Sequence, residues 1–347
     1  MGGQLKNGTD CLTAAWKRGC DFLGTKYAIL GGAMSWVSER NLVAAISNAG
    51  GFGVIACGAM TPELLDAEIR GTQALTDKPF GVNLITMHPD LDKLVDVCLA
   101  LNVGHVVLAG GIPAKETIEK IRNGGAKVVC FTPTLALGKK LIRSGADALV
   151  IEGMEAGGHI GPVSTSVLAQ EILPNIEDVP VFVAGGIGRG EAIATYLRMG
   201  AAGCQLGTRF VCSFESIAHP AFKKAFIRAN ARDAVTTVQV DPMFPVIPVR
   251  ALDNAGGQKF IETQHQVISQ YKTGEMDLDA ARLAIEHFWA GALRRAVIEG
   301  DVEFGSVMAG QSVGMVKKEQ SIAEIMEELV AQAQGSFESH GDQRDSL

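Results

Sequence analysis

Short apolar runs recur along most of the chain, and each is followed by a stretch whose apolar positions return every three or four residues. Residues 27–32, 52–56, 80–85, 105–109, 126–131, 146–151, 179–184 and 203–207 have the length and composition of buried strands. The intervening stretches 38–48, 91–101, 114–122, 135–144, 164–173 and 190–199 have amphipathic helical spacing. Local punctuation agrees. Thr61 caps a helix with Pro62 at its first position, Ser38 is the predicted cap of the helix through Asn48, and Gly50-Gly51 closes that helix. Buried strands alternating with helices predict a parallel sheet, and eight such units predict a closed (β/α)8 TIM barrel. No Gly-x-Gly-x-x-Gly follows the first strand, which argues against an open dinucleotide-binding sheet. Residues 11–23 predict one amphipathic helix that plugs an end of the barrel.

The rhythm stops near Asn230. Residues 241–250 are rich in proline and predict irregular backbone, whereas 259–270, 278–299 and 322–332 predict helices. The expected organisation is a barrel with its N-terminal helix over 1–229, a helical lid lobe returning to the barrel over 230–334, and a flexible tail over 335–347. Composition narrows the function. The net charge of -7, without a dense basic patch, excludes nucleic acid as a partner. No apolar run reaches the roughly 18 residues of a membrane span. Met1 to Asp10 is polar without an apolar signal core, and the 7 scattered cysteines fit reduced thiols, so a cytoplasmic protein is expected. No metal-ligand spacing occurs, so no metal is expected.

Barrel chemistry sits at the C-terminal ends of the strands. The sixth strand runs into a loop in which glycine recurs among Glu152, Glu155 and His159. Such a loop suits the wrapping of a flat ligand. His159 is a candidate general acid, general base or fixed hydrogen-bond donor. Glu152 either binds a ligand hydroxyl or pairs with a cation. Asn83 either reads the edge of a heterocycle or caps a turn. Gly185-Gly186 and Gly207-Thr208 end the seventh and eighth strands, where barrels bind phosphate through backbone N–H groups, and form a candidate phosphate cup. Arg209 is placed to pair with a carboxylate inside the fold. Cys57, Cys130 and Cys204 lie on or beside strands and are read as core.

The motifs Ile151 to Gly161 (IEGMEAGGHIG), Val183 to Gly188 (VAGGIG), Gln205 to Val211 (QLGTRFV) and Gly305 to Gln311 (GSVMAGQ) resemble the flavin-dependent superfamily that holds nitronate monooxygenases and flavin-type enoyl-[acyl-carrier-protein] reductases. The likeness spans Tyr27 to about Leu329. It is closest to the reductase branch, on residues 32–37, 78–83, 215–220 and 300–302 as well. It implies FMN in the barrel mouth. Gly32 and Met34 would pack on the flavin, Asn83 would hydrogen-bond it and Gly157 and Gly158 would line it. Gly185, Gly186, Gly207 and Thr208 would hold its phosphate, with Glu152 and Gln205 as further contacts and Gln311 closing over the site. His159 matches the family's catalytic histidine. The chain departs from the family at Ala28 and Gly31, where a Pro and a Gln are usual, and over 234–255, which would line the acyl or nicotinamide channel. The implied activity is reduction of an enoyl thioester C=C bond with NADH or NADPH as co-substrate. The alternative is oxidation of alkyl nitronates by oxygen. A carrier-protein-bound or small-molecule acyl substrate is the expected partner, and a homodimer is compatible with the sequence.

Overall fold

The computed structural model of the chain describes residues 7–341. Eight parallel strands build the central sheet: β1 (Ile29–Gly31), β2 (Gly53–Ala56), β3 (Phe80–Ile85), β4 (His105–Ala109), β5 (Lys127–Phe131), β6 (Ala148–Glu152), β8 (Val181–Ala184) and β9 (Gly203–Leu206). Three short strands lie outside it: β7 (Gly158–His159), β10 (Ala234–Thr236) and β11 (Val249–Leu252). The order around the sheet is β1-β9-β8-β6-β5-β4-β3-β2. A parallel bridge between Leu30 and Phe52 joins its two edges. There the Gly31 N–H donates to the Phe52 carbonyl at 2.9 Å, and the Phe52 N–H to the Ile29 carbonyl at 2.9 Å. The predicted (β/α)8 barrel is therefore the fold.

Successive strand residues point to opposite faces. Leu30, Phe52, Val54, Val107, Val129, Val150 and Phe182 fill the barrel interior. Ile29, Ile55, Val82, Val106, Val128, Leu149 and Val183 face the surrounding helices. Both faces are buried, which is why the strands read as continuous apolar runs.

One end of the barrel is plugged. The expected helix over 11–23 is two helices, Gly8–Ala15 and Lys17–Leu23, joined at Trp16. Phe22 lies with its ring centre 5.2 Å from that of His105 and 6.1 Å from that of Phe182. Its carbonyl is bonded by His105 Nε2 at 3.0 Å and by Lys127 Nζ at 2.6 Å. Burial pushes the His105 pKa down to about 4. These contacts sit at the strand N-termini and leave the opposite mouth for a site.

Three expectations need correction. Glu39, not Ser38, caps the helix Arg40–Asn48, accepting from the Asn41 N–H at 3.1 Å and the Leu42 N–H at 3.3 Å. The predicted helix over 278–299 ends at His287 and resumes at Ala292 after Gly291, which has φ +71°. The tail predicted to be flexible from 335 is helical through Gly341, as part of Ile322–Gly341. Its polar composition hid one anchor. Phe337 packs on the main core, the Arg198 guanidinium lies 4.3 Å from its ring centre, and Arg198 Nη2 donates to the Ser336 carbonyl at 2.6 Å. Residues 342–347, like 1–6, lie outside the described residues. The lid helices Ala255–Lys272 and Leu278–His287 have a core of their own, made by Phe244, Phe260, Val267, Ile268, Ala281 and Ile285. Among the described residues, no helix is long and apolar enough to cross a membrane.

Candidate active site

A cavity of about 570 Å³ lies at the C-terminal ends of the barrel strands. Its lining includes Gly32, Met34, Asn83, Glu152, Gly157, Gly158, His159, Gly185, Gly186, Gln205, Gly207 and Thr208. These residues, spread over 177 positions of sequence between Gly32 and Thr208, are brought together by the barrel and, for Gly158 and His159, by the small sheet β10-β11-β7. Gln311 is not among them. Its N–H donates to the Glu155 carbonyl at 2.9 Å, and its neighbour Ser312 lines the cavity instead.

The floor comes from inward residues near the C-terminal ends of three strands. Asn83 on β3 is buried and donates from Nδ2 to the Val107 carbonyl at 3.2 Å. Gln205 on β9 is buried. Glu152 ends β6, in register with Ala184, which in turn faces Gln205. The open part of Glu152 faces the cavity, and burial alone pushes its pKa up to about 8. No lysine or arginine lines this cavity.

Above the floor, the ends of β1, β8 and β9 present backbone rather than side chains. The Ser38 hydroxyl, released from capping, donates to the Gly32 carbonyl at 2.8 Å and accepts the Met34 N–H at 3.0 Å, which fixes the β1 loop. Gly185 and Gly186 have φ +100° and +71°, a region side chains other than glycine rarely take. A Cβ on Gly185 would lie 2.8 Å from Thr165 Oγ1, and one on Gly186 2.9 Å from Glu155 Cβ. Among the described residues, the N–H groups of Gly186, Gly207 and Thr208 have no protein acceptor. The Thr208 hydroxyl accepts the Gly310 N–H at 2.9 Å, so its own proton stays available. A set of converging free N–H groups without a cation suits an anion such as phosphate.

The glycine loop is less loose than its composition suggests. Glu155 accepts from the Thr165 N–H at 2.9 Å and the Thr165 hydroxyl at 2.8 Å, tying the loop to the helix Thr165–Ile172. Gly157 lies so near the segment 309–310 that a Cβ would come within 2.6 Å of the Gly310 nitrogen. Gly158 and His159 form β7, which pairs antiparallel with β11, itself paired with β10. Arg250 locks this small sheet in place. It is 4% exposed, and it donates from Nε to the Met154 carbonyl at 2.9 Å and from Nη1 to the Ala234 carbonyl at 2.5 Å. Sequence reasoning missed Arg250 because it sits in the proline-rich segment. Partial burial of the ring holds the His159 pKa below its usual value. Arg209, outside the cavity, pairs with Glu328 at 2.8 Å as the sequence suggested. Cys57, Cys130 and Cys204 are buried, and burial pushes the first two up to about 12 and Cys204 higher still, so none is a nucleophile.

His159, Leu293 and Met308 also line a second cavity of about 880 Å³, whose other walls come from residues 235–307 of the lid lobe. Its walls are mostly apolar, including Val235, Val238, Ile247, Phe260 and Ile261. The imidazole therefore stands where the two cavities meet.

A family model described as nitronate monooxygenase matches residues 17–94 and 90–332. A relative from Rhodococcus jostii, named (3aS,4S,5R,7aS)-5-hydroxy-7a-methyl-1-oxo-octahydro-1H-indene-4-carboxyl-CoA dehydrogenase, is 30% identical over 90% of this chain and 94% of its own length. A probable nitronate monooxygenase from Staphylococcus saprophyticus is 27% identical over 90% of this chain and 96% of its own. Among solved structures, FabK from Thermotoga maritima matches with a TM-score of 0.83 and 36% identity, covering 95% of this chain and 99% of that one. A nitroalkane oxidase from Streptomyces ansochromogenes matches with a TM-score of 0.75 and 26% identity, covering 91% and 98%.

Proposed function

The chain belongs to the nitronate monooxygenase family and is an oxidoreductase, and from that premise we propose that it binds FMN and reduces the C=C bond of an enoyl thioester with NADH or NADPH. The residues present fit FMN. The glycine backbones leave a slot for a flat ring, the free N–H groups of Gly186, Gly207 and Thr208 suit its phosphate, and the amides of Asn83 and Gln205 suit its polar edge. When bound, the flavin supplies hydride transfer. The chain's own residues bind, orient and exclude water. His159, held at the junction of the two cavities, is placed to hydrogen-bond the thioester carbonyl or to pass a proton toward the α-carbon.

The observation that carries the thioester reading is the second cavity. At about 880 Å³ it lies in the range of about 300–1,000 Å³ that takes a drug-sized ligand, and its apolar walls suit an acyl group. A small alkyl nitronate leaves it unused. The dehydrogenase relative, whose name specifies a carboxyl-CoA substrate, supports a thioester as well. The second reading is nitronate oxidation by oxygen, favoured by the family model and the Staphylococcus relative. There His159 would bind the nitro group or act as base.

One pair of assays separates the two. Anaerobic NAD(P)H oxidation with a short enoyl-CoA is expected. Oxygen uptake on an alkyl nitronate without NAD(P)H, together with no anaerobic turnover, would replace the first reading with the second.

A further inference from the structure

The loop after β1 places a tryptophan where the backbone favours glycine. The Met34 carbonyl accepts the Val37 N–H at 3.0 Å and the Ser38 N–H at 2.8 Å, closing a tight turn with Trp36 at its third position. Trp36 there has φ +68°. Among the described residues, Asn102 is the other non-glycine residue with positive φ, and asparagine takes that region readily. An indole takes it only at a steric cost, and such outliers gather at ligand clamps.

Packing does not offset that cost. Trp36 joins none of the hydrophobic clusters of the described residues, and 38% of it stays exposed. Its position supplies a use. Ser35 and Val37, on either side, line the first cavity. On the return from the lid, the Arg294 guanidinium lies over the indole, 5.7 Å from its centre. Leu293, the residue before it, lines both cavities. An exposed aromatic plane and a guanidinium thus meet at the rim of the candidate site.

Their separation is within the ~6 Å reach of a cation–π contact but beyond the about 3.5–4.0 Å of closed stacking, so the pair is loose. Net charge at this rim is small, since Arg294 pairs with Glu299 and Arg295 lies 3.6 Å from Asp301. What the rim offers is planes, and a flat heterocycle is the ligand that uses them, because bases stack on tryptophan and on arginine alike. The activity proposed above takes two substrates that carry such a ring away from their reacting end. NADH or NADPH bears an adenosine phosphate there, and so does coenzyme A. We propose that Trp36 and Arg294 form a platform for the adenine of a nucleotide-bearing substrate, outside the flavin slot. The choice of adenine rests on the reductase reading.

The test is calorimetric titration of the protein, saturated with FMN, with AMP and with ribose 5-phosphate, which lacks the base. Wild type should bind AMP more tightly. Trp36→Gly and Trp36→Asn, whose new residues suit φ +68°, should weaken AMP binding roughly 5- to 150-fold, the worth of one stacked base, and leave ribose 5-phosphate alone. Trp36→Phe should lose less, because it keeps a ring. AMP no tighter than ribose 5-phosphate in wild type, or unchanged AMP binding in Trp36→Gly and Trp36→Asn, overturns the proposal. The wild-type comparison decides even where a variant fails to fold.

Steady-state kinetics identifies the source of the adenine. Where it belongs to the dinucleotide, Trp36→Gly raises KM for NADH or NADPH at least about fivefold and spares reduced nicotinamide mononucleotide. Where it belongs to coenzyme A, the same variant raises KM for an enoyl-CoA and spares the enoyl-pantetheine. An equal rise for whole and truncated substrates, with a lowered Tm, marks a latch between loop and lid and overturns the proposal. AMP binding lost in Trp36→Gly without any anaerobic turnover would leave the platform and overturn the reductase reading, whereas turnover indifferent to Trp36 would do the reverse.

Discussion

Arg250 holds the His159 loop through its two carbonyl contacts. Arg250→Met tests it. Methionine keeps most of the apolar stem and removes the guanidinium. Two buried carbonyls, of Met154 and Ala234, then lose donors now at 2.9 and 2.5 Å. A hydrogen bond from a charged donor is worth about 1.5–3 kcal/mol, so the two together set a range of about 3–6 kcal/mol. Met154 belongs to a loop beside a cavity, where water can replace a donor, which draws the expectation to the lower end. Unfolding entropy of about 2.1 cal/mol/K per residue over 347 residues gives about 0.7 kcal/mol/K, so 3 kcal/mol lowers Tm by about 4 °C. Differential scanning calorimetry at neutral pH measures this. Arg250→Lys, with charge but no fork, should fall between the two. Hydrogen exchange should show early opening of 154–160 in Arg250→Met while the barrel strands stay protected. A Tm within about 1 °C of wild type, with unchanged exchange in that loop, would refute the bracing argument.

Three further outcomes are expected. His159→Ala should retain flavin and lose roughly 10²–10⁴-fold in turnover, and equal turnover in steady-state assays would remove it from the chemistry. His105, held near 4 in the fold against a usual value of 6.5, binds its proton more readily when unfolded. Its contribution is therefore fully present above about pH 6.5 and is lost as pH falls toward 4, by about 3 kcal/mol. Urea unfolding of wild type and His105→Gln across pH 4–7 should show that difference; parallel curves would contradict it. Ala251→Phe, projecting from β11 into the second cavity, should lower kcat on every substrate, because β11 holds the His159 strand, and should also raise KM for a long-chain enoyl thioester at least about tenfold over that for a four-carbon one; an equal KM effect on both would place the acyl group elsewhere.

The barrel was legible because its strands are buried on both faces and its helices are punctuated locally by residues such as Thr61 and Pro62. The site at the strand ends followed from that, since the fold rule places chemistry there without any side-chain contact being known. What stayed hidden depended on partners distant in the chain. A two-residue strand such as Gly158–His159 has no periodicity to read, and its partner Val249-Arg250 comes some ninety residues later. The different duties of Glu152 and Glu155 turn on where Thr165 lies, which local pattern does not encode. Ser38 was the predicted cap, but its hydroxyl is taken by Gly32 and Met34, and Glu39 caps the helix instead.

The arrangement also bears on how substrate choice evolves in this fold. The floor of the site belongs to the barrel, through Asn83, Glu152 and Gln205. His159 belongs to the lid, because β7 is a strand of the lid's sheet. The segment 234–255 supplies β10 and β11, carries Arg250, and contributes Val235, Val238, Ile247, Ala251 and Leu252 to the second cavity. Residues that line the proposed acyl chamber and residues that hold the imidazole thus share one stretch of chain. A substitution there changes both at once: a wider chamber obtained by altering β11 also loosens the strand to which His159 is paired. Grafting single cavity residues from a relative should therefore cost turnover before it changes specificity, whereas exchanging 234–255 as a unit preserves the β7–β11 pairing and moves specificity with the imidazole still in place.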